Sequence, residues 1–169
     1  SGINPAAVYA AALNAQAAQA AQPPREPTPL EKADAMLLYG EPKASAEAYR
    51  KYLEDAPDDA SAMRSLAIAL LQSRRFDEAV AVMAMAYDKQ PRLARTPIDP
   101  AFFGDAAGLR KSLNSAVNYA NRVNSGSAWL LVAALMQAEG RDDVALRMAE
   151  RARAAGLAEP VATQLADVL

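Results

Sequence analysis

Two prolines, Pro57 and Pro91, stand 34 residues apart, and the stretch between them holds two helix-length apolar segments. A period of that length is the size of one helix–turn–helix unit. Such a unit cannot bury its apolar face alone and must stack on a neighbour. The spacing therefore restricts the fold to stacked antiparallel helices before any single residue is weighed. Gly40, Pro57, Pro91, Gly126, Gly140, Gly156 and Pro160 punctuate the chain, and between them the pattern predicts helices over 30–39, 43–56, 60–73, 76–90, 108–123, 127–139, 142–155 and 160–168. Composition agrees: 42 of 169 residues are Ala, while Val and Thr are too thinly spread for a sheet of several strands. The expected class is all-α, in a chain long enough to bury a core.

The best-preserved unit runs ASAMRSLAIALLQSRRFDEAVAVMAMAYDKQP, residues 60–91. It resembles the tetratricopeptide repeat (TPR), two antiparallel helices with small and large apolar residues at fixed points. Leu66 and Ala67 match the Leu–small pair of that pattern, and Leu70 takes the position usually held by Tyr. Phe76 precedes the second helix, Ala79 is the small residue where the two helices cross, Met83 replaces the usual aromatic, Ala86 is the second small contact and Pro91 ends the unit. All the departures exchange one apolar residue for another.

Two flanking units are more degenerate. The one ending at Pro57 keeps Ala33, Met36, Gly40, Tyr49 and the exit LEDAP, with Ser45 and Tyr52 where the TPR pattern usually has Ala. The other begins at Gly126 and matches at Trp129, Ala133, Met136, Gly140, Ala145 and Ala152. There Ala149 replaces a large residue and the closing proline is missing. Residues 92–124 break the register. RLARTPIDPAFFGD contains two prolines and cannot make a full first helix, whereas residues 109–123 make an amphipathic second one through Leu109, Leu113, Ala116, Val117 and Ala120. The prediction is a repeat whose first helix has shrunk to a turn, with Phe102 and Phe103 as the plug of the gap rather than an aromatic lip for a peptide. A similar F/Y-G-D element before a lone helix occurs in bacterial TPR proteins of uncharacterised function. The resemblance covers about 130 residues and implies a short α-solenoid of three to four helix pairs, one truncated, with extra helices at both ends.

The division expected is 1–22, an Ala/Gln-rich helix; 23–29, a Pro-rich linker; and 30–169, the repeat domain. Asn4 can cap the first helix and Pro5 suits its first position. Ten of the sixteen residues from Ala6 to Ala21 are Ala, so the helix has high propensity but only Val8, Tyr9, Ala12 and Leu13 as a narrow contact stripe. A helix of this kind is marginal without a partner surface. Ser1–Gly2 reads as a tag-cleavage scar. An Ala/Gln tail and a proline linker ahead of a cysteine-free domain suit an exported bacterial protein.

Other conspicuous residues have plain readings. Met83 and Met85 lie about 200° apart around a helix, so their sulfurs cannot close on one metal ion; Met83 belongs to the core, and Met85 is left on a face that is usually polar. RRFDE, residues 74–78, reads as a solvated turn with acids at a helix N-terminus rather than an anion site. Arg147, Arg151 and Arg153, with Glu150 among them, make a basic face too small for nucleic acid.

The function classes narrow by exclusion. The chain has no Cys and no His, which removes thiolate chemistry and the commonest general base and zinc ligand. No metal or cofactor is expected. An enzyme would have to rely on carboxylates such as Asp99 and Asp105 or a serine–lysine pair. The formal net charge of −2 offers no drive toward nucleic acid, and no apolar run reaches the ~20 residues that span a bilayer. What the TPR resemblance implies instead is a concave groove lined by the first helices of successive repeats. It carries that role to Asp34, Leu37 and Leu38, to Arg64, Ile68, Leu71 and Gln72, and to Leu130, Ala134 and Gln137. Ile68 occupies the position where carboxylate-clamp TPR modules have Asn, so an extended or helical apolar peptide is the expected ligand rather than a chaperone C-terminus. The expectation is a non-catalytic protein–protein interaction or scaffold module. The alternative is a self-assembly module whose N-terminal helix occupies its own groove or a neighbour's, the latter giving a homodimer.

Overall fold

A computed structural model of the chain describes residues 2, 4–21 and 23–169. The scar reading at Ser1 and the end of the N-terminal segment at Gln22 lie outside the described residues. Among the described residues there are nine α-helices, two 3₁₀ turns and no strand. The helices are α1 (Pro5–Ala20), α2 (Pro29–Leu38), α3 (Pro42–Asp55), α4 (Ala60–Gln72), α5 (Phe76–Lys89), α6 (Ala106–Val123), α7 (Gly126–Ala138), α8 (Asp142–Ala154) and α9 (Glu159–Val168). The all-α expectation holds.

Helices of the repeat region start and end within two residues of the predicted bounds, and caps explain the shifts. Pro29 and Pro42 each sit in a first turn, where the missing N–H is no loss. Thr28 accepts from Glu31 N and sets the start of α2. Asp105 accepts from Gly108 N at 2.7 Å, which pulls the start of α6 forward to Ala106. Asn4 caps α1 in the same manner, accepting from Ala6 N.

Adjacent helices pack as α2 with α3, α4 with α5, and α7 with α8, and α3–α4 and α6–α7 contacts join successive layers in a solenoid-like arrangement. Alanines sit at the tightest crossings: Ala33, Ala67, Ala79, Ala86, Ala133, Ala145 and Ala152 are all fully buried. A methyl group there lets two backbones approach while Leu70, Met83, Leu113 and Trp129 fill the wider gaps. Met83 is fully buried and Met85 is 53 % exposed, the opposite fates that their angular separation demands.

Residues 91–105 do not form a helix. They make a strap of two 3₁₀ turns, Pro91–Arg95 and Pro100–Phe103. The first turn packs against α9 and α5, the second against α2 and α6. Phe103 is buried and Phe102 half-buried against the same core, so the shortened repeat is filled by this pair. At the other extreme, α1 is exposed along its whole length and buries no residue. Val8, Tyr9 and Leu13 stand in solvent.

Candidate functional site

The inner helices α2, α4 and α7 present the side of the array where a ligand groove is expected. That side is already covered, and what covers it is the strap. Arg64, the only charged residue of α4, reaches across with Nη1 and donates to the backbone oxygens of Thr96 (2.7 Å) and Leu93 (3.1 Å) and to the Tyr87 hydroxyl (3.3 Å). Gln72 Nε2, one end of the same helix, donates to Phe102 O at 2.8 Å. From α7, Gln137 Nε2 donates to Ala94 O at 2.8 Å. Three side chains from two inner helices thus hold four main-chain carbonyls of an irregular segment. The segment has few carbonyl partners of its own, and buried carbonyls left unpaired are costly. On the far side, a Cβ added at Gly108 of α6 would lie 2.0 Å from Phe103 O, so the strap is clamped from that direction too.

Most of the predicted groove residues are enclosed. Leu37, Arg64, Ile68, Leu71, Leu130, Ala134 and Gln137 are buried, Asp34 and Gln72 are half-buried, and Leu38 alone is exposed. The structure thus encloses most of the residues expected to line an open groove. Ile68 and the two anchors Arg64 and Gln72 face chain that the repeat pattern does not contain, because a standard first helix would have left this side free. Leu71→Glu, a natural test of an open groove, would here place a carboxylate in the core. The signal for the strap was present in the residues. A lone Arg on an otherwise apolar helix, next to a repeat lacking its first helix, has spare carbonyls as its nearest uncompensated partners.

A cavity of about 280 Å³ remains between α2, α4 and the strap. Leu30, Ile68, Ile98 and Phe102 give it apolar walls, while Asp34 and Ser65 are among its polar ones. The Tyr49 hydroxyl donates to Asp34 Oδ1. Burial, and then that bond to the carboxylate, hold the Tyr49 phenol well above its ordinary pKa, so it stays a donor. Tyr52 donates to Asp59 at 2.7 Å and is raised chiefly by that hydrogen bond. Asp59 also accepts from Ala62 N as the cap of α4. The carboxylates beside the cavity are thus tied to neighbours. No group of three or more Asp or Glu side chains able to hold a metal ion occurs among the described residues, and none of their helices is long and apolar enough to cross a membrane. Comparison of the chain with protein-family models and with curated proteins returns no match.

Proposed function

We propose that the chain is a non-catalytic protein–protein interaction module of the TPR type, one that accepts a peptide segment of a protein partner along its inner face. The observation that carries this reading is the strap. The inner helices hold thirteen residues, Pro91–Phe103, made of two 3₁₀ turns and their link, through side-chain donors aimed at main-chain carbonyls. A surface that binds backbone in this way recognises polypeptide as such. The strap is its resident example, and the neighbouring cavity, with Ser65 and Ile98 on its walls, is the space left for a partner segment to extend the contact.

Selection of displayed peptides against the full chain tests the reading. Ser65→Trp, which fills the cavity from α4, is expected to weaken selected peptides at least about tenfold, the loss of roughly 1.4 kcal/mol of contact. Glu54→Trp, on the exposed side of α3, should leave them unchanged. Absence of any enriched peptide, or equal binding by both variants, would sink the proposal.

A second reading, self-assembly through the N-terminal helix, is favoured by one observation: sixteen residues of α1 bury nothing. An Ala-rich helix of that length is marginal in water without a surface to lie on. Removal of residues 1–25 followed by light scattering decides it. A fall from dimer to monomer mass is expected if α1 joins two copies, and an unchanged mass excludes the dimer.

A further inference from the structure

Four helices, α2, α4, α7 and α8, end in one and the same geometry. In each, the residue two places past the helix donates to the carbonyl three residues before it, and the next residue donates to the carbonyl five before it: Gly40 N to Leu37 O and Glu41 N to Met36 O, Arg74 N to Leu71 O and Arg75 N to Leu70 O, Gly140 N to Gln137 O and Arg141 N to Met136 O, Gly156 N to Arg153 O and Leu157 N to Ala152 O. The geometry needs a left-handed residue at the turn, and glycine supplies it three times, with φ of 78°, 78° and 102°. The fourth is Arg74, at φ 62°. An L-residue there crowds its Cβ against the following carbonyl, a penalty that glycine does not carry. The repeat therefore holds an arginine where the backbone favours glycine, and the turn itself offers no reason for it.

The side chain supplies one. We propose that Arg74, Lys111, Ser112 and Ser115 form a binding site for an oxyanion, a carboxylate or phosphate group. All four line one cavity of about 190 Å³ between the α4–α5 turn and α6, large enough for a tetrahedral anion with a water. Neither Arg74 nor Lys111 forms an ion pair among the described residues, whereas neighbouring Arg75 is paired with Glu78 at 2.7 Å and Arg50 with the same carboxylate at 2.5 Å. Asp105, which approaches from the α6 side, spends Oδ1 on Gly108 N, and Asp77 accepts from the Tyr119 hydroxyl. Each of these carboxylates has a partner on one oxygen, whereas the two cations have no ion-pair partner among the described residues. The Arg74 guanidinium lies over the Phe76 ring at 5.4 Å, which restricts its swing; Phe76 borders a second cavity that Arg74 shares with Asp77 and Glu78. Two serine hydroxyls on one face of α6, three residues apart, add neutral donors beside the cations. Residues 74–78 alone read as a solvated turn; the left-handed backbone and the cavity set Arg74 apart.

The site shares Leu71, Gln72 and Phe103 with the strap side but not Ser65 or Ile98 of the cavity proposed for a peptide, and its test is a paired measurement on the full chain. Arg74→Gly is expected to raise the melting temperature by about 2–4 °C, because it removes the left-handed penalty. The same substitution should weaken anion binding at least about tenfold, the usual scale of a charge-assisted contact. Arg74→Lys keeps both the charge and the penalty, so it should melt with the parent and bind within a few-fold of it. Binding is followed by amide shifts of residues 111–115 during titration with inorganic phosphate in one arm and hexaglutamate in the other. Response to phosphate alone identifies a phosphate site, response to hexaglutamate alone a site for acidic polypeptide, and response to both a general oxyanion site. No shift in either arm, affinity unchanged by Arg74→Gly, or a melting temperature that does not rise overturns the proposal.

Discussion

Arg64→Ala is expected to destabilise the chain by about 3–5 kcal/mol, the largest effect of any single polar substitution in it. One nitrogen, Nη1, carries three acceptors on two protons, and two of the acceptors are backbone oxygens of the strap. Arg64 is 7 % exposed, so truncation strands the Thr96 oxygen where water reaches it poorly and leaves Leu93 O with only the Thr96 N–H. The guanidinium also sits 5.9 Å from the Tyr87 ring centroid, and that contact is lost as well. The measurement is the urea midpoint at unchanged m-value, together with hydrogen exchange of amides 93–103. Exchange there should speed up more than in α7 and α8, because the strap is released before the helix pairs open. A loss below about 1 kcal/mol would mean that the strap is held by Ile98 and Phe103 and that Arg64 is incidental.

Trp129→Ala is expected to cost about 3–5 kcal/mol through the cavity it leaves, and to lower the melting temperature by roughly 6–20 °C. The indole is 1 % exposed. Its Nε1 donates to Asn124 Oδ1 at 2.9 Å, tying α7 to the residue that ends α6 in a left-handed turn. The Arg151 guanidinium lies 4.0 Å from the ring centroid on the α8 side. One side chain therefore joins three helices. Trp129→Phe should recover more than half of the loss, since it keeps most of the volume but forfeits the hydrogen bond and part of the cation contact. Equal melting of the alanine and phenylalanine variants would show that volume at this position is unimportant.

Much of this architecture is legible in the residues because repeat folds are local. Pro57, Pro91, Gly40 and Gly140 mark helix ends through backbone constraints that operate over three or four residues. The Met83–Met85 contrast needs only the helical period. Even the filling of the shortened repeat by Phe103 follows from local composition, since two prolines deny residues 92–105 a helix and two adjacent aromatics must be buried somewhere. The groove is another matter. Leu37, Ile68, Leu130 and Ala134 have the same one-dimensional surroundings whether solvent, a partner or their own chain covers them. No periodicity records where a non-helical segment of fifteen residues will lie.

Arg64 and Arg74 divide the same way. Both are arginines on or just after α4, ten residues apart; the sequence assigns one to a groove and the other to a solvated turn, both of them at the surface. Tertiary placement turns Arg64 inward to donate to carbonyls of the strap, while backbone handedness leaves Arg74 outside, without an ion pair among the described residues, beside a cavity. What the sequence determined by itself is the all-α class, the helix bounds and the pairing of neighbours, because hydrophobic period and turn chemistry are short-range. What only the tertiary structure decided is which face is free. That depends on where the strap's carbonyls find their donors, and those donors come from residues 29 to 43 positions away.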